Sequence, residues 1–240
     1  MIIKKIISES SIDYPGKFGP VIFTQGCNFN CGFCHNPELI SLKLDEDKQI
    51  LQQLNNIKQK AKHGWYNGAC ITGGEPTIHL ELFNLIHQLK EMKLDVKLDT
   101  NGYNPEVLKK LKEVIDYCAM DVKGPKELYS SIIQKNIDIS KIEESMKIVQ
   151  EFPDYEFRMT IVPFIRDKEI SFLTEDEVEL AVKWLVDVTG NNQHTFVLQK
   201  FIPINNLNDK SLEKMPETPD DLLKKIQERV KKILPNCRIR

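Results

Sequence analysis

The sequence predicts an α/β fold built on parallel strands, a partial (β/α)6 TIM-type barrel. Short apolar stretches alternate with helical patterns along the chain, and this alternation is typical of a parallel sheet with right-handed crossovers. Six of these stretches read as strands, at 20–26, 68–73, 95–100, 117–122, 156–162 and 195–201. A doubly wound open sheet fits the same pattern, and the sequence favours the barrel only slightly.

The segments between these strands carry the signals expected at helix ends. Helices are predicted from near Asp45 to His63-Gly64, over 79–93, from Pro105 to about 114, over 139–151, from Thr174 to Gly190 and from Thr218 to Leu234. Thr174 and Glu177 form a capping box, and Pro105 stands at a first helical position after Asn104. Within 79–93, apolar residues recur at helical spacing from Leu80 onward.

Length and composition suit an ordinary globular protein. The 240 residues predict one domain, 1–240, with its core at about 18–203 and a C-terminal extension, 204–240, that contains the last helix. Lys and Arg number 33 against 35 Asp and Glu, and this net charge of −2 gives no reason to expect binding to nucleic acid or an anionic membrane. Because no segment is apolar enough to span a bilayer or to act as a secretory signal, we expect a cytoplasmic protein.

Three cysteines, Cys27, Cys31 and Cys34, lie within eight residues directly after the first predicted strand. Their spacing, C-x3-C-x2-C, can place three thiolates at three corners of a [4Fe-4S] cluster, which leaves the fourth iron open for chemistry. A structural zinc site would need a fourth ligand, and His35 is poorly placed to supply it beside Cys34. The spacing therefore favours an open iron–sulfur cluster over zinc.

Other unusual motifs follow the carboxyl ends of the later strands. They are Gly73-Gly74-Glu75-Pro76, Asp99-Thr100-Asn101-Gly102 and Asp121-Val122-Lys123-Gly124. In either parallel architecture the active site lies at this edge of the sheet. Charged residues, among them Asp99, Asp121 and Arg158, also share single faces of the third to fifth strands. This pattern predicts a polar lumen open to a charged ligand, or alternatively a set of mutually satisfied ion pairs.

The cysteine motif with Phe33, together with the Gly73-Gly74-Glu75-Pro76 motif, resembles the radical S-adenosylmethionine (SAM) superfamily. More narrowly, the chain is similar to the glycyl-radical-enzyme activases, and most of all to the long form of the anaerobic ribonucleoside-triphosphate reductase activating protein. The supporting segments are Asp13-Tyr14-Pro15-Gly16, Thr24-Gln25-Gly26-Cys27, Cys34-His35-Asn36-Pro37, Asp99-Thr100-Asn101-Gly102 and Asp121-Val122-Lys123. The similarity covers about residues 8–203.

The resemblance implies the partial barrel, two cofactors and a reaction. Cys27, Cys31 and Cys34 would hold a [4Fe-4S] cluster whose free iron binds the amino and carboxylate groups of SAM. An electron from the reduced cluster would split SAM into methionine and a 5′-deoxyadenosyl radical. This radical would abstract a hydrogen atom from a glycine of the anaerobic ribonucleotide reductase, a large glycyl radical enzyme. A flavodoxin or a ferredoxin-type protein would donate the electron.

The resemblance also implies roles for residues beside the cluster. Gly73 and Gly74 would let the backbone approach the methionine amino group, with the negative charge of Glu75 nearby. Phe33 and the backbone of His35-Asn36 would flank the adenine.

Charged residues at the ends of the middle strands complete the implied site. Lys123 and Arg158 would balance the SAM carboxylate, although each could pair with Asp99 or Asp121 instead. Asp99 stands with them among the expected cofactor-binding residues. Asp99, Thr100 and Asp121 also resemble the monovalent-cation site of the activases, whose ligands are hard oxygen atoms.

Other substrates fit the same radical chemistry. The chain could activate a different glycyl radical enzyme, of the pyruvate formate-lyase type, or act on a small molecule, as 7-carboxy-7-deazaguanine synthase does. A noncatalytic metal-binding or electron-transfer module is a further hypothesis. In the activase interpretation, Asp13 and its neighbouring backbone are placed to hold the substrate loop. No cysteine lies between Cys34 and Cys70, so the extra clusters of some activases are not expected.

Overall fold

The computed structural model describes residues 3–42, 48–166 and 169–240. Its strands are β1 Ile3–Ser10, β2 Gly19–Thr24, β3 Gly68–Gly73, β4 Asp95–Thr100, β5 Tyr117–Asp121, β6 Tyr155–Ile161, β7 Pro163–Arg166, β8 Glu169–Phe172, β9 Phe196–Lys200 and β10 Cys237–Ile239. Eight strands form one sheet in the order β1-β2-β3-β4-β5-β6-β9-β10, while β7 and β8 form an antiparallel pair. Neighbours in the large sheet are parallel, except that β1 runs antiparallel to β2.

Helices cross between the parallel strands. They are α1 Lys48–Lys62, α2 Leu82–Glu91, α3 Pro105–Leu111, α4 Tyr129–Ile132, α5 Ser140–Val149, α6 Glu175–Thr189 and α7 Asp220–Val230. The neighbouring helices α3, α5, α6 and α7 pack against one another in that order, and α2 packs on β4. Within the residues described, no helix combines the length and the apolar character needed to cross a membrane.

The arrangement confirms the predicted partial barrel. Each of the six predicted parallel strands is present, with ends within two residues of the expected positions. Side chains from β4, β5 and β6 line one cavity together with the loops after β2, β3 and β9, so the sheet curls around a lumen. The capping box of Thr174 and Glu177 is also confirmed, and Gly190 ends α6 with φ of +67°. The predicted helix start near Asp45 lies outside the described residues.

The sequence did not predict four strands, β1, β7, β8 and β10. The first is an edge strand with most side chains at least partly exposed, and the last has only three residues, so neither carries a strong apolar pattern. The prediction of a helix from 79 was also wrong, since α2 begins at Leu82 and Leu80 is 92% exposed. A short 3₁₀ helix, Pro76–Ile78, precedes it, and the His79 ring is hydrogen bonded to the Gln25 carbonyl at 2.7 Å, which holds this stretch against the end of β2.

The turn between β1 and β2 lies at the amino end of the barrel strands. Ser10 of β1 pairs with Gly19 of β2, so the intervening residues cap the edge of the sheet opposite the cysteine loop. Asp13 lies in this turn, where it accepts a hydrogen bond from the Ser10 hydroxyl at 2.5 Å. The expectation that Asp13 helps to hold a substrate loop at the active rim is therefore wrong. Because β1 runs antiparallel to β2, the turn that joins them lies at the amino end of β2, away from the cysteine loop.

Candidate active site

The cysteine loop leaves the carboxyl end of β2 and is held by hydrogen bonds from neighbouring segments. Its backbone amides donate to carbonyls elsewhere in the fold, Cys27 to Ile40 at 3.0 Å and Asn30 to Ile133 at 3.2 Å. The Asn101 side-chain amide donates to Asn28 Oδ1 at 2.7 Å. A turn in which the Cys34 amide donates to the Cys31 carbonyl at 3.1 Å joins the last two cysteines. The protein's own hydrogen bonds therefore define the course of the loop.

The three cysteine side chains line the same cavity, which has a volume of about 250 Å³. Burial raises the pKa of Cys27 to about 11 and the pKa of Cys31 to about 12, while the positive charge of Lys123 opposes both shifts. Burial also raises the pKa of Cys34. All three groups are thus neutral thiols at pH 7, and a bound metal must displace their protons.

Gly73 and Gly74 pack the loop after β3 against the end of β2. Gly73 has φ of +117°, and a Cβ on Gly74 would lie 2.0 Å from the Gly26 carbonyl oxygen. The Gly74 amide donates to the Thr24 carbonyl at 2.9 Å. Both glycines also line the cavity. Because these two residues lack side chains, the end of β3 can pack closely against the end of β2. A contact between the two glycines and SAM remains a prediction.

Glu75 fastens the loop after β3 to the end of β4. Its side chain is buried and accepts hydrogen bonds from the Thr77 amide and hydroxyl at 3.1 and 2.6 Å, from the Thr100 hydroxyl at 2.8 Å and from the Asn101 amide at 2.7 Å. Burial raises the pKa of Glu75, and these hydrogen bonds oppose the shift. The carboxylate therefore has a structural task, which the sequence could not reveal because two of its donors, Thr100 and Asn101, lie at the end of another strand.

Five charged side chains form an alternating network across the lumen. Arg158 donates to Asp99 at 3.1 Å and to Asp121 at 2.9 Å, and Lys123 donates to Asp121 at 2.9 Å. Lys97, which is buried, pairs with the other oxygen of Asp99. All of these except Lys97 line the cavity. The charges are therefore mutually paired, as one interpretation of the charged strand faces predicts, and four of them also line the cavity. A charged ligand in this lumen remains a prediction.

The network carries three cationic and two anionic groups, but the charged side chains that line the cavity are Arg158 and Lys123 together with Asp99, Asp121 and Glu75. Arg158 and Lys123 are the groups among these that can attract an anionic part of a ligand, such as a carboxylate. The monovalent-cation site at Asp99, Thr100 and Asp121 remains a prediction. In this structure Asp99 and Asp121 both accept hydrogen bonds from Arg158, and the Thr100 hydroxyl donates to Glu75.

Aromatic and amide residues complete the wall of the cavity. Phe33 lies beside Lys123, whose Nζ is 5.8 Å from the ring centroid. His35 and Asn36 line the same cavity, and the His35 ring centroid is 6.2 Å from that of Phe201. Phe201 is buried and was not predicted as a site residue. Its position at the end of the last predicted strand was the only signal that could have indicated it.

Comparison with known proteins identifies the family. The sequence profile of the radical SAM superfamily matches residues 21–176. This match spans more than half of the chain, and the chain belongs to the radical SAM superfamily. The cofactors of this superfamily are a [4Fe-4S] cluster and SAM, and three thiols on one loop facing a cavity that also contains Arg158 and Lys123 fit both.

The relatives that are similar to this chain include activating enzymes and a cyclase. A Methanocaldococcus jannaschii protein provisionally named a glycyl-radical enzyme activating enzyme is 29% identical over 247 residues, which cover 100% of this chain and 95% of the relative. The pyruvate formate-lyase-activating enzyme of Clostridium pasteurianum is 27% identical, over 50% of this chain and 52% of the relative. A Pyrococcus horikoshii protein provisionally named a GTP 3′,8-cyclase is 28% identical, over 62% of this chain and 48% of the relative. This chain thus spans about half the length of the last two relatives.

A solved structure shows the same fold. SuiB of Streptococcus suis, bound to S-adenosylmethionine, superposes with a TM-score of 0.61 at 18% sequence identity. The superposition covers 92% of this chain and 49% of SuiB. At this level of identity the similarity concerns the fold alone.

Proposed function

We propose that the protein is a glycyl-radical-enzyme activase whose substrate is a backbone glycine of an anaerobic ribonucleotide reductase. The observation that carries the proposal is the similarity to a protein provisionally named as an activating enzyme, which extends over 100% of this chain and 95% of the relative. A flavodoxin or ferredoxin-type protein is the proposed electron donor, and the proposed compartment is the cytoplasm.

Exposed apolar side chains at the carboxyl end of the barrel support a macromolecular substrate. They lie in the segments that follow β2, β3 and β9: Leu42 at 61%, Leu80 at 92%, Ile202 at 51% and Ile204 at 37%. Exposed apolar side chains at the end of the fold that carries the cavity are available for contact with another protein.

The residues of this chain have defined tasks in the proposed reaction. Cys27, Cys31 and Cys34 would hold the cluster, which together with SAM supplies a carbon-centred radical. Arg158 and Lys123 would bind the SAM carboxylate while staying paired with Asp121. Phe33 would pack on the adenine and keep water away from the reacting atoms.

Anoxic incubation with SAM, a one-electron reductant and a candidate anaerobic ribonucleotide reductase tests the proposal. We expect a glycine-centred doublet in the electron paramagnetic resonance (EPR) spectrum and formation of 5′-deoxyadenosine. The doublet should be absent when the acceptor glycine of the reductase is replaced by alanine. It should also be absent with a Cys31→Ser variant of this chain.

Two results would redirect the assignment. A doublet on a pyruvate formate-lyase but not on the reductase would identify a different glycyl radical enzyme as the substrate. Formation of 5′-deoxyadenosine stimulated by a purine nucleotide, with no protein partner, would contradict the activase proposal. The similarity to a protein provisionally named a GTP 3′,8-cyclase makes GTP the first small molecule to include.

A further inference from the structure

A segment from the C-terminal part of the chain lies directly against the cysteine loop. We call residues 207–212 the clamp segment. It follows β9 and includes the start of a short 3₁₀ helix, Lys210–Lys214. The sequence placed these residues in an extension beyond the core and gave them no role.

The clamp segment donates hydrogen bonds to three consecutive residues of the cysteine loop. The side-chain amide of Asn208 lies 3.1 Å from both the backbone carbonyl and Oδ1 of Asn30, and 3.2 Å from the Cys31 carbonyl. The backbone amide of Asp209 donates to the Gly32 carbonyl at 2.8 Å. The Cys31 carbonyl also accepts from the Cys34 amide, so both of its lone pairs are used.

Apolar contacts fix the clamp segment in place. Leu207 and Leu212 are buried in a cluster with Phe201, and Phe33 of the cysteine loop packs against this cluster. The approach is close at Gly32, where an added Cβ would lie 3.0 Å from Asp209 Cβ and 2.7 Å from the Gln134 side-chain nitrogen. The loop between Cys31 and Cys34 is therefore packed closely against the clamp segment.

We propose that Asn208 is a positioning residue for the metal-binding loop. By holding the carbonyls of Asn30 and Cys31, it keeps the loop in the course that directs all three cysteine side chains into one cavity. A loop ordered before binding loses less conformational entropy when a cluster forms, so iron is held more tightly. The inference depends on the cysteine loop and its metal, and not on which substrate the enzyme takes.

The test uses the reconstituted full-length protein and compares Asn208→Ala and Asn208→Asp with the wild type. Asn205→Ala is the matched control, because Asn205 is an exposed amide in the same connection. We measure the rate of iron release to a ferrous chelator and the EPR spectrum of the reduced cluster. We expect iron release about tenfold faster in Asn208→Ala, which corresponds to about 1.4 kcal/mol. The effect should be at least as large in Asn208→Asp, where a carboxylate faces the carbonyl oxygens, and Asn205→Ala should match the wild type.

The outcomes separate positioning from general stability. The proposal requires a broadened or shifted EPR spectrum in both Asn208 variants, while the metal-free proteins melt within a few degrees of the wild type. Unchanged iron release in both variants would overturn it. A lowered melting temperature with unchanged iron release and an unchanged spectrum would also overturn it, because Asn208 would then serve only the stability of the fold. Asn208→Asp keeps the size of the side chain and provides the measurement if the alanine variant does not fold.

Discussion

At the scale of single residues, the site depends on charges that are buried and paired. Asp121 accepts hydrogen bonds from Arg158 and Lys123, and Asp99 accepts from Arg158 on the other side. Burying an unpaired ion costs several kcal/mol, but each of these groups has a partner of opposite charge. The network can therefore remain charged beside the cavity, with Arg158 and Lys123 facing the ligand space.

The pKa of Asp121 leads to a prediction about stability and pH. Burial alone would raise this pKa, but Arg158 and Lys123 lower it to about 2, from the ordinary value of 3.8. Because the folded-state pKa lies below the unfolded-state value, ionised Asp121 stabilises the fold above about pH 4, and this contribution is lost as the pH falls toward 2. We expect Asp121→Asn to lower the free energy of unfolding of the metal-free protein by about 2 kcal/mol at pH 7.

Urea unfolding of both proteins at pH 7, 5 and 3 checks this expectation. The difference between wild type and variant should narrow at pH 3. Asp221→Asn, on the exposed start of α7, should show little difference at any of these pH values. A constant difference between Asp121→Asn and wild type across the range would contradict the argument.

At the scale of secondary-structure elements, the loops after β2 and β3 form one unit. The Gly74 amide donates to Thr24, the Glu75 amide donates to Gly26 at 2.8 Å, and the Gly26 amide donates to Leu39 at 2.7 Å. These bonds join the end of β3 to the segment that carries the cysteines. The course of the cysteine loop is thus set partly by residues outside the three cysteines.

Gly74→Ala should weaken metal binding without touching a cysteine. A Cβ at this position would lie 2.0 Å from the Gly26 carbonyl oxygen, so the loop after β3 must move away from β2. We expect less than a tenth of the wild-type iron content after anoxic reconstitution and desalting, measured by iron and sulfide analysis. Gly64→Ala is the control, since nothing lies within 4 Å of an added Cβ there. Its strained backbone should cost about 1 kcal/mol of stability and leave the iron content unchanged. Full iron content in Gly74→Ala would show that the two loops are independent.

At the scale of the whole molecule, the two ends of the barrel have different tasks. The carboxyl ends of the strands carry the cavity, while the amino ends are filled by a buried polar cluster. Glu156 at the start of β6 is fully buried and accepts from Tyr117 at 3.0 Å and from both terminal nitrogens of Arg240 at 2.8 and 2.7 Å. Since β10 pairs with β9, this ion pair ties the last residues of the chain to the sheet.

Arg240→Ala should destabilise the fold and leave the cofactor site intact. It removes the bidentate partner of a fully buried carboxylate, but the Arg240 side chain is itself 36% exposed and Tyr117 still donates to Glu156, so the cost should be about 2 kcal/mol, below that for a fully buried pair. We expect this loss in the free energy of unfolding of the metal-free protein, with normal iron content and SAM binding after reconstitution.

Arg238→Ala provides a comparison. Arg238 is 56% exposed and lies 3.6 Å from Glu156, so its loss should cost less than about 1 kcal/mol. Equal losses in the free energy of unfolding for the two variants, or a loss of iron binding in Arg240→Ala alone, would contradict the argument that the two ends of the barrel have different tasks.

Several features of the site could be predicted because their signals are local in the sequence. The spacing of Cys27, Cys31 and Cys34 and the alternation of strands and helices need no knowledge of distant contacts. The roles of Glu75 and Asn208 could not be predicted, because their partners lie in other segments of the chain. The wrong prediction for Asp13 has the same cause. The position of Asp13 depends on the direction of β1, an edge strand whose sequence pattern is too weak to be predicted.

The sequence by itself determined the alternation of parallel strands and helices, the cysteine loop and the family, since periodicity and motif spacing are properties of neighbouring residues. Only the tertiary structure decided between a barrel and an open sheet, which charges are paired, why Gly74 has no side chain and what the cysteine loop packs against. Those properties depend on contacts such as Arg158 with Asp99 and Asn208 with Cys31. Such contacts form only when folding brings distant segments together, so no local pattern records them.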